Sequence, residues 1–232
     1  ALFYLCSPAN PQGAVADLGY LRRAVRLARE HGFLLAVDEC YSEVWDRSAP
    51  PGALAAALAE DGGLGGVVAF HSLSKRSSAP GLRSGFVAGD PSVLARLLRL
   101  RAYASPVQPL PVLAAATALW QDEAHVEANR ALYRAKIDLA QRRLGDRFGF
   151  RRPAGGFFLW LDVGDGVAAC RRLWREGGVK VLPGGFLSGG ADAKAGAPYI
   201  RVALVDEIAA VDEALGRLSG ILGDAGETEA AS

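Results

Sequence analysis

The sequence predicts an α/β protein, a mostly parallel sheet with flanking helices, followed by a smaller α+β domain. Three observations carry this. Up to Gly89 short continuous apolar runs alternate with amphipathic helical segments, the pattern of strands covered on both faces. After Pro91 the texture changes to long helical stretches. From Phe148 strands and helices return around a Gly-rich stretch.

In chain order, Leu2–Cys6 is a short apolar strand, ended by the turn-rich stretch Ser7-Pro8-Ala9-Asn10-Pro11-Gln12-Gly13. Asp17 caps a helix in which Leu18, Leu21, Val25 and Ala28 recur near helical spacing, and His31-Gly32 ends it. Phe33–Val37 is a second strand, running into Asp38-Glu39-Cys40-Tyr41. Ala53–Glu60 reads as a short helix and Gly62–Gly66 as a loop. Val67–His71 is a third strand, running into Ser72-Leu73-Ser74-Lys75, and Phe86–Ala88 opens a fourth.

Ser92–Tyr103 and Leu110–Leu144 read as helices, the second long enough to connect two domains. Then come a strand (Gly156–Val163), a helix (Val167–Glu176), a strand (Val179–Leu182) and a Gly-rich loop (Gly184–Gly196). A strand (Tyr199–Leu204) and a helix (Val205–Leu222) close the domain. The polar tail Gly223–Ser232 is expected to be disordered. The expected organisation is a partial large domain (residues 1–125), a small domain (126–222) reached through the long helix, and the tail (223–232).

Composition limits the function classes. Half the residues are hydrophobic and 22% are charged, which supports a substantial core. The net charge of +1, from 26 basic and 25 acidic residues, offers no clustered basic excess for nucleic acid. No apolar run approaches the roughly 18 residues that span a bilayer. Cys6, Cys40 and Cys170, like His31, His71 and His125, lack metal-ligand spacing, so no metal and a reduced, cytoplasmic setting are expected. The chain contains no Met and begins inside a strand-like run, so it reads as a piece of a longer polypeptide.

In open parallel sheets ligands bind beyond the carboxyl ends of the strands. Four polar clusters stand there: Asn10-Pro11, Asp38 with Tyr41, Ser72/Ser74/Lys75, and Arg83. Lys75 is a solvated loop lysine or, in a nonpolar or cationic surrounding, an amine able to form an imine with an aldehyde. Asp38 is a structural cap or ion-pair partner, or the partner of a cationic ring nitrogen. Tyr41 packs, or aims its hydroxyl at the same ring. Asn10, held extended before Pro11, closes a turn or donates to a ring oxygen. Arg83, in Gly81-Leu82-Arg83-Ser84-Gly85, has a fork suited to a phosphate, with Ser72 and Ser74 as further donors. Arg201, inside the apolar strand Tyr199–Leu204, needs an anion: an internal acidic residue or a substrate carboxylate.

Together these motifs resemble the class I/II aminotransferases of pyridoxal 5'-phosphate (PLP) fold type I. Asn10-Pro11-Gln12-Gly13 is similar to the family's Asn-Pro-x-Gly motif and Asp38-Glu39-Cys40-Tyr41 to Asp-x-x-Tyr. Ser72-Leu73-Ser74-Lys75, Gly81-Leu82-Arg83-Ser84-Gly85, Pro153-Ala154-Gly155-Gly156-Phe157 and Arg201 follow in the family's order. The resemblance implies that Lys75 carries PLP and shuttles the proton in catalysis. Asp38 would pair with the ring nitrogen, Tyr41 and Asn10 would hold the ring's phenolic oxygen, and Ser72, Ser74 and Arg83 would hold the phosphate. Arg201 and Asn10 would bind the substrate.

Several stretches resemble the succinyldiaminopimelate branch of lysine biosynthesis, among them Leu5-Cys6-Ser7-Pro8, Asp38–Glu43 and Asp122-Glu123-Ala124-His125-Val126. That implies transfer of an amino group between glutamate and the keto form of N-succinyl-LL-2,6-diaminopimelate. Aspartate, aromatic or alanine-type substrates remain open, as does a non-catalytic aminotransferase-like domain of a regulator. The resemblance also implies a homodimer. The family's N-terminal third, with its Gly-rich phosphate loop and ring-stacking aromatic, is absent from these residues, so taken alone they are expected to hold PLP weakly and to be inactive.

Overall fold

The computed structural model describes residues 1–104, 107–189 and 194–228, with residues 224–228 as backbone. The chain forms two compact units. The first comprises Ala1–Asn10, Ala14–Ala131 and Ala154–Gly156, the second Pro11–Gly13, Leu132–Pro153 and Phe157–Ser232.

The first unit is built on a four-stranded sheet in the order β1 (Leu2–Cys6), β2 (Leu34–Asp38), β3 (Val67–Ser72), β4 (Gly85–Gly89). β1, β2 and β3 run parallel, and β4 is antiparallel to β3. Helix α1 (Leu18–His31) starts where Asp17 Oδ1 accepts from the Tyr20 N–H at 2.6 Å, and it ends at Gly32, whose φ of +66° is left-handed. Its buried stripe of Leu21, Val25 and Ala28 follows from the helical period. Val25 and Ala28 pack with Leu35 and Val37 of β2, Val67 of β3, and Ala53 and Ala57 of helix α2 (Ala53–Leu58). β1 is an edge strand among the described residues, and Leu2 and Tyr4 are 62% and 57% exposed.

A short helix α3 (Leu73–Arg76) follows β3 directly, and α4 (Pro91–Ala104) follows β4. The single long helix read over Leu110–Leu144 is in fact two, α5 (Leu110–Gln121) and α6 (Ala124–Leu144). Asp122 causes the break: it leaves the helix at ψ 119°, and its Oδ1 accepts from the Ala124 N–H at 2.9 Å. A short acidic side chain bonds a following backbone N–H and caps a new helix more readily than it continues an old one.

The second unit holds an antiparallel sheet in the order β5 (Phe158–Asp162), β7 (Tyr199–Ala203), β6 (Leu182–Pro183). Helix α7 (Gly166–Gly177) is capped by Asp165, which accepts from Val167 and Ala168, and closed by left-handed Gly178. Its Leu173 joins Leu159, Leu161, Ile200, Leu204, Leu215 and Leu218 in the core. The strand read over Val179–Leu182 shrinks to Leu182–Pro183, because the Val179 N–H is committed to Leu173 O in the turn that ends α7. Within the Gly-rich stretch, Gly184–Phe186 forms a 3-10 turn, and residues 190–193 lie outside the described residues. Helix α8 (Ile208–Thr228) continues past Leu222, since no proline interrupts Gly223–Thr228; residues 229–232 lie outside the described residues. No described helix is long and apolar enough to cross a membrane.

Candidate active site

Parallel pairing sends the carboxyl ends of β1, β2 and β3 to one edge, and antiparallel β4 starts there. Cys6 is registered against Asp38, Asp38 against Phe70, and Ser72 against Gly85. The pairing continues past the strands, with Ser7 N–H donating to Asp38 O at 3.0 Å and Glu39 N–H to Phe70 O at 2.9 Å. Asp38, Tyr41, Ser72, Ser74, Lys75 and Arg83, singled out in the sequence, therefore all belong to the first unit and follow from one sheet edge.

Asp38 is the electrostatic centre. Its Oδ2 accepts from the Tyr4 hydroxyl at 2.5 Å and its Oδ1 from the Cys40 N–H at 3.0 Å. Burial, the largest single influence, pushes its pKa up; the hydrogen bonds from Tyr4 and Cys40 and the nearby His71 together outweigh it and hold the carboxyl below its ordinary value. The neighbours respond in the opposite sense. Burial and then the bond to Asp38 push the Tyr4 phenol well above its usual range, and the same causes push the Cys40 thiol to about 12. Burial raises Cys6 as well. These thiols stay protonated and are poor nucleophiles.

Lys75 lies in α3, immediately beyond β3, with Nζ 5.6 Å from the centre of the Tyr41 ring. Tyr41 is buried, and its ring lies 3.6 Å from where a side chain on Gly156 would begin. Ser72 caps α3: its hydroxyl accepts from the Ser74 N–H at 3.1 Å and donates to Ser84 O at 3.5 Å. Arg83 closes a 3-10 turn, Pro80–Leu82, at a left-handed φ of 50°. Its Nη1 donates to Pro80 O at 2.8 Å, and its carbonyl accepts from Gln108 Nε2 at 2.6 Å. Asn10 is exposed after the cis Ser7-Pro8 bond.

Three functional neighbours escaped the sequence reading: Tyr4, Glu39 and His71. Buried Glu39 accepts from the Ala53 N–H at 2.6 Å, and its other oxygen meets His71 Nε2 at 3.0 Å, tying the ends of β2 and β3 to the start of α2. His71 stacks on Phe86 of β4, centroids 4.8 Å apart. A second carboxylate directly after Asp38 and a histidine at the next strand end were the available signals; Tyr4 shares a strand face with Cys6.

In the second unit, Arg201 occupies β7 opposite Trp160 and Leu182. Its guanidinium carbon lies 4.4 Å from the centre of the Phe158 ring.

The first unit thus gathers a lysine amine, a charged half-buried carboxylate, a phenol, two serines and an arginine from one sheet edge. Such a donor set fits a group carrying a cationic ring nitrogen, a phenolic oxygen, an aldehyde and a phosphate. Comparison with known proteins gives the same direction. The family model for aminotransferase class I and II matches residues 1–218. The chain is 37% identical over 218 residues to the 4-dedimethylamino-4-oxo-anhydrotetracycline transaminase OxyQ of Streptomyces rimosus, covering 93% of this chain and 59% of that protein. It is 33% identical to the LL-diaminopimelate aminotransferase of Desulforudis audaxviator, covering 96% of this chain and 56% of that protein. Among solved structures, an aminotransferase from Neisseria meningitidis superposes with a TM-score of 0.89 at 40% identity, covering 95% of this chain and 57% of that one. The chain therefore spans somewhat over half the length of the proteins it matches.

Proposed function

The chain belongs to the class I and II aminotransferases, a PLP-dependent family, and on that premise we propose that its protein is a transaminase in which Lys75 carries the cofactor. The observation that carries this reading is Asp38, kept ionised at a half-buried strand end beside the strand that delivers Lys75. When bound, PLP supplies an electron sink for a carbanion developing on the substrate. Asp38 holds a proton on the ring nitrogen by staying charged. Tyr41 and Asn10 orient the ring's phenolic oxygen. Ser72, Ser74 and Arg83 hold the phosphate, Arg83 through its fork. The Lys75 amine moves the proton at the substrate's α-carbon. Arg201 holds the α-carboxylate, and Asn10 also takes part in holding the substrate.

For substrates we favour glutamate with the keto form of N-succinyl-LL-2,6-diaminopimelate. The subgroup stretches noted above and a relative named for LL-diaminopimelate support this choice. A homodimer accompanies the reading, since the family resemblance places the sites at a subunit interface.

Borohydride reduction of the PLP-loaded protein, followed by peptide mapping, tests the centre of the proposal. A modified Lys75 is expected; modification of Lys136, Lys180 or Lys194 instead sinks it. Turnover of glutamate with the succinylated keto acid or a tetracycline ketone, and of 2-oxoglutarate with free diaminopimelate, aspartate, aromatic amino acids or alanine, then ranks the substrates. A labelled Lys75 with no turnover on any of them would favour a non-catalytic, regulator-type domain.

A further inference from the structure

The three residues that follow Lys75 all reach the junction of α5 and α6, within the first unit. Arg76, only 4% exposed, donates from Nη1 to Leu119 O at 2.7 Å and pairs through Nη2 with Glu123, while its guanidinium lies over the Trp120 ring. Ser77 Oγ lies 2.8 Å from His125 Nε2, and His125 Nδ1 lies 2.8 Å from Asp122 Oδ2. Ser78 Oγ donates to Asn129 Oδ1 at 3.0 Å. The Asn129 amide returns to the backbone, donating to Lys75 O at 3.2 Å and Arg76 O at 3.4 Å. The carbonyl of Lys75 is thus held from α6.

Asp122, His125 and Ser77 stand in the atom order of a nucleophile triad. Two features speak against attack by Ser77. The N–H groups of Ser77 and Ala79 both donate to Leu73 O, at 3.0 and 3.4 Å, so these donors serve the helix end and not an oxyanion. Ser77 also caps the carbonyl end of α3, where negative charge is disfavoured. Asp122 meanwhile starts α6, so the array joins the end of one helix to the start of another.

We propose that Ser77–His125–Asp122, with Asn129, is a clamp that fixes the turn bearing Lys75 against α6, which makes His125 a positioning residue for the Lys75 amine. This rests on reading Lys75 as the cofactor-bearing lysine. The clamp sets where the amine sits; it does not touch the reacting atoms.

The test compares His125→Ala, His125→Gln and Ser77→Ala with the parent protein. Amide hydrogen exchange is read without PLP, and kcat and KM with it. Loss of one hydrogen bond should speed exchange across Leu73–Ala79 by about tenfold relative to α1 in the same molecule. In His125→Ala kcat should fall by about tenfold while KM for the amino donor stays within about twofold. His125→Gln, which restores a polar atom toward Ser77, should recover part of both. Ser77→Ala removes one hydroxyl and serves if the histidine variant does not fold. Exchange in Leu73–Ala79 that stays at the parent rate, or loosening shared equally by α1, overturns the clamp. So does labelling of Ser77 by a fluorophosphonate, which would make it a nucleophile. A borohydride label on another lysine, together with loosened exchange at Leu73–Ala79, overturns the cofactor reading and leaves the clamp standing. A label on Lys75 with unchanged exchange does the reverse.

Discussion

The Tyr4 hydroxyl donates to Oδ2 of Asp38 at 2.5 Å, from one parallel strand to the next. The contact follows from register. Cys6 pairs with Asp38 and Tyr4 with Ala36, so Tyr4 shares the face of Cys6 and Asp38 and its phenol reaches forward along β2, toward the carboxyl end. A phenol donor favours the charged carboxylate, the state that a cationic ring nitrogen requires.

Tyr4→Phe should raise the pKa of Asp38, read by carbon NMR titration of its carboxyl group. The folded-state value is lowered, so this contribution to stability is fully present above the unfolded carboxylate value of about 4 and is lost as pH falls through the lower folded value. At pH 7 the variant should lose about 1 kcal/mol, below the usual ~1.5–3 kcal/mol for a bond to a charged group because Tyr4 is exposed. The gap should close in acid. A stability difference that persists after Asp38 is protonated would show that Tyr4 acts by packing.

Glu39→Ala should cost about 3 kcal/mol in denaturant unfolding, because it removes a buried acceptor from the Ala53 N–H and the partner of His71. Glu39→Gln keeps an acceptor for Ala53 and should lose about half as much. Equal losses for the two variants would show that the charge facing His71, not the acceptor for Ala53, carries the whole effect.

Gly81 and Gly85 flank the turn carrying Arg83 but differ in necessity. A Cβ on Gly85 would lie 2.3 Å from His71 O and 3.3 Å from Ser72 Cα, both backbone atoms of the paired strand, while one on Gly81 meets nothing within 4 Å. Gly85→Ala should therefore destabilise the protein by about 2 kcal/mol and weaken PLP retention, by splaying β4 from β3 and moving Arg83. Gly81→Ala should stay within about 0.5 kcal/mol of the parent. Equivalent losses at both positions would contradict the steric argument.

The strand ends were legible because chemistry at the edge of a parallel sheet follows chain order. Asp38 comes directly after one apolar run and Lys75 shortly after another, so the alternation of runs and helices puts both near strand ends without knowledge of the fold. What crosses between elements was not legible. Tyr4 needs the register of β1 on β2, and the reach of His125 to Ser77 joins positions 48 apart. The break at Asp122 was hidden because its carboxylate sits in a charged stretch that reads as helical surface; its capping bond shows once the backbone is placed.

Arg201 offers the last discriminating substitution. Its guanidinium carbon lies 4.4 Å from the centre of the Phe158 ring, and lysine would keep the charge while losing the planar fork and its paired donors. If Arg201 binds the α-carboxylate, Arg201→Lys should raise KM for amino donor and keto acceptor alike by about 10- to 100-fold, the value of one charge-assisted bond, because both substrates carry that group. PLP retention on Lys75 should be unchanged, since no cofactor contact is altered. Steady-state kinetics with two donors, alongside thermal unfolding, separates this from a structural role. A lowered melting temperature with unaltered KM would place Arg201 in an internal ion pair and leave the carboxylate without its proposed partner.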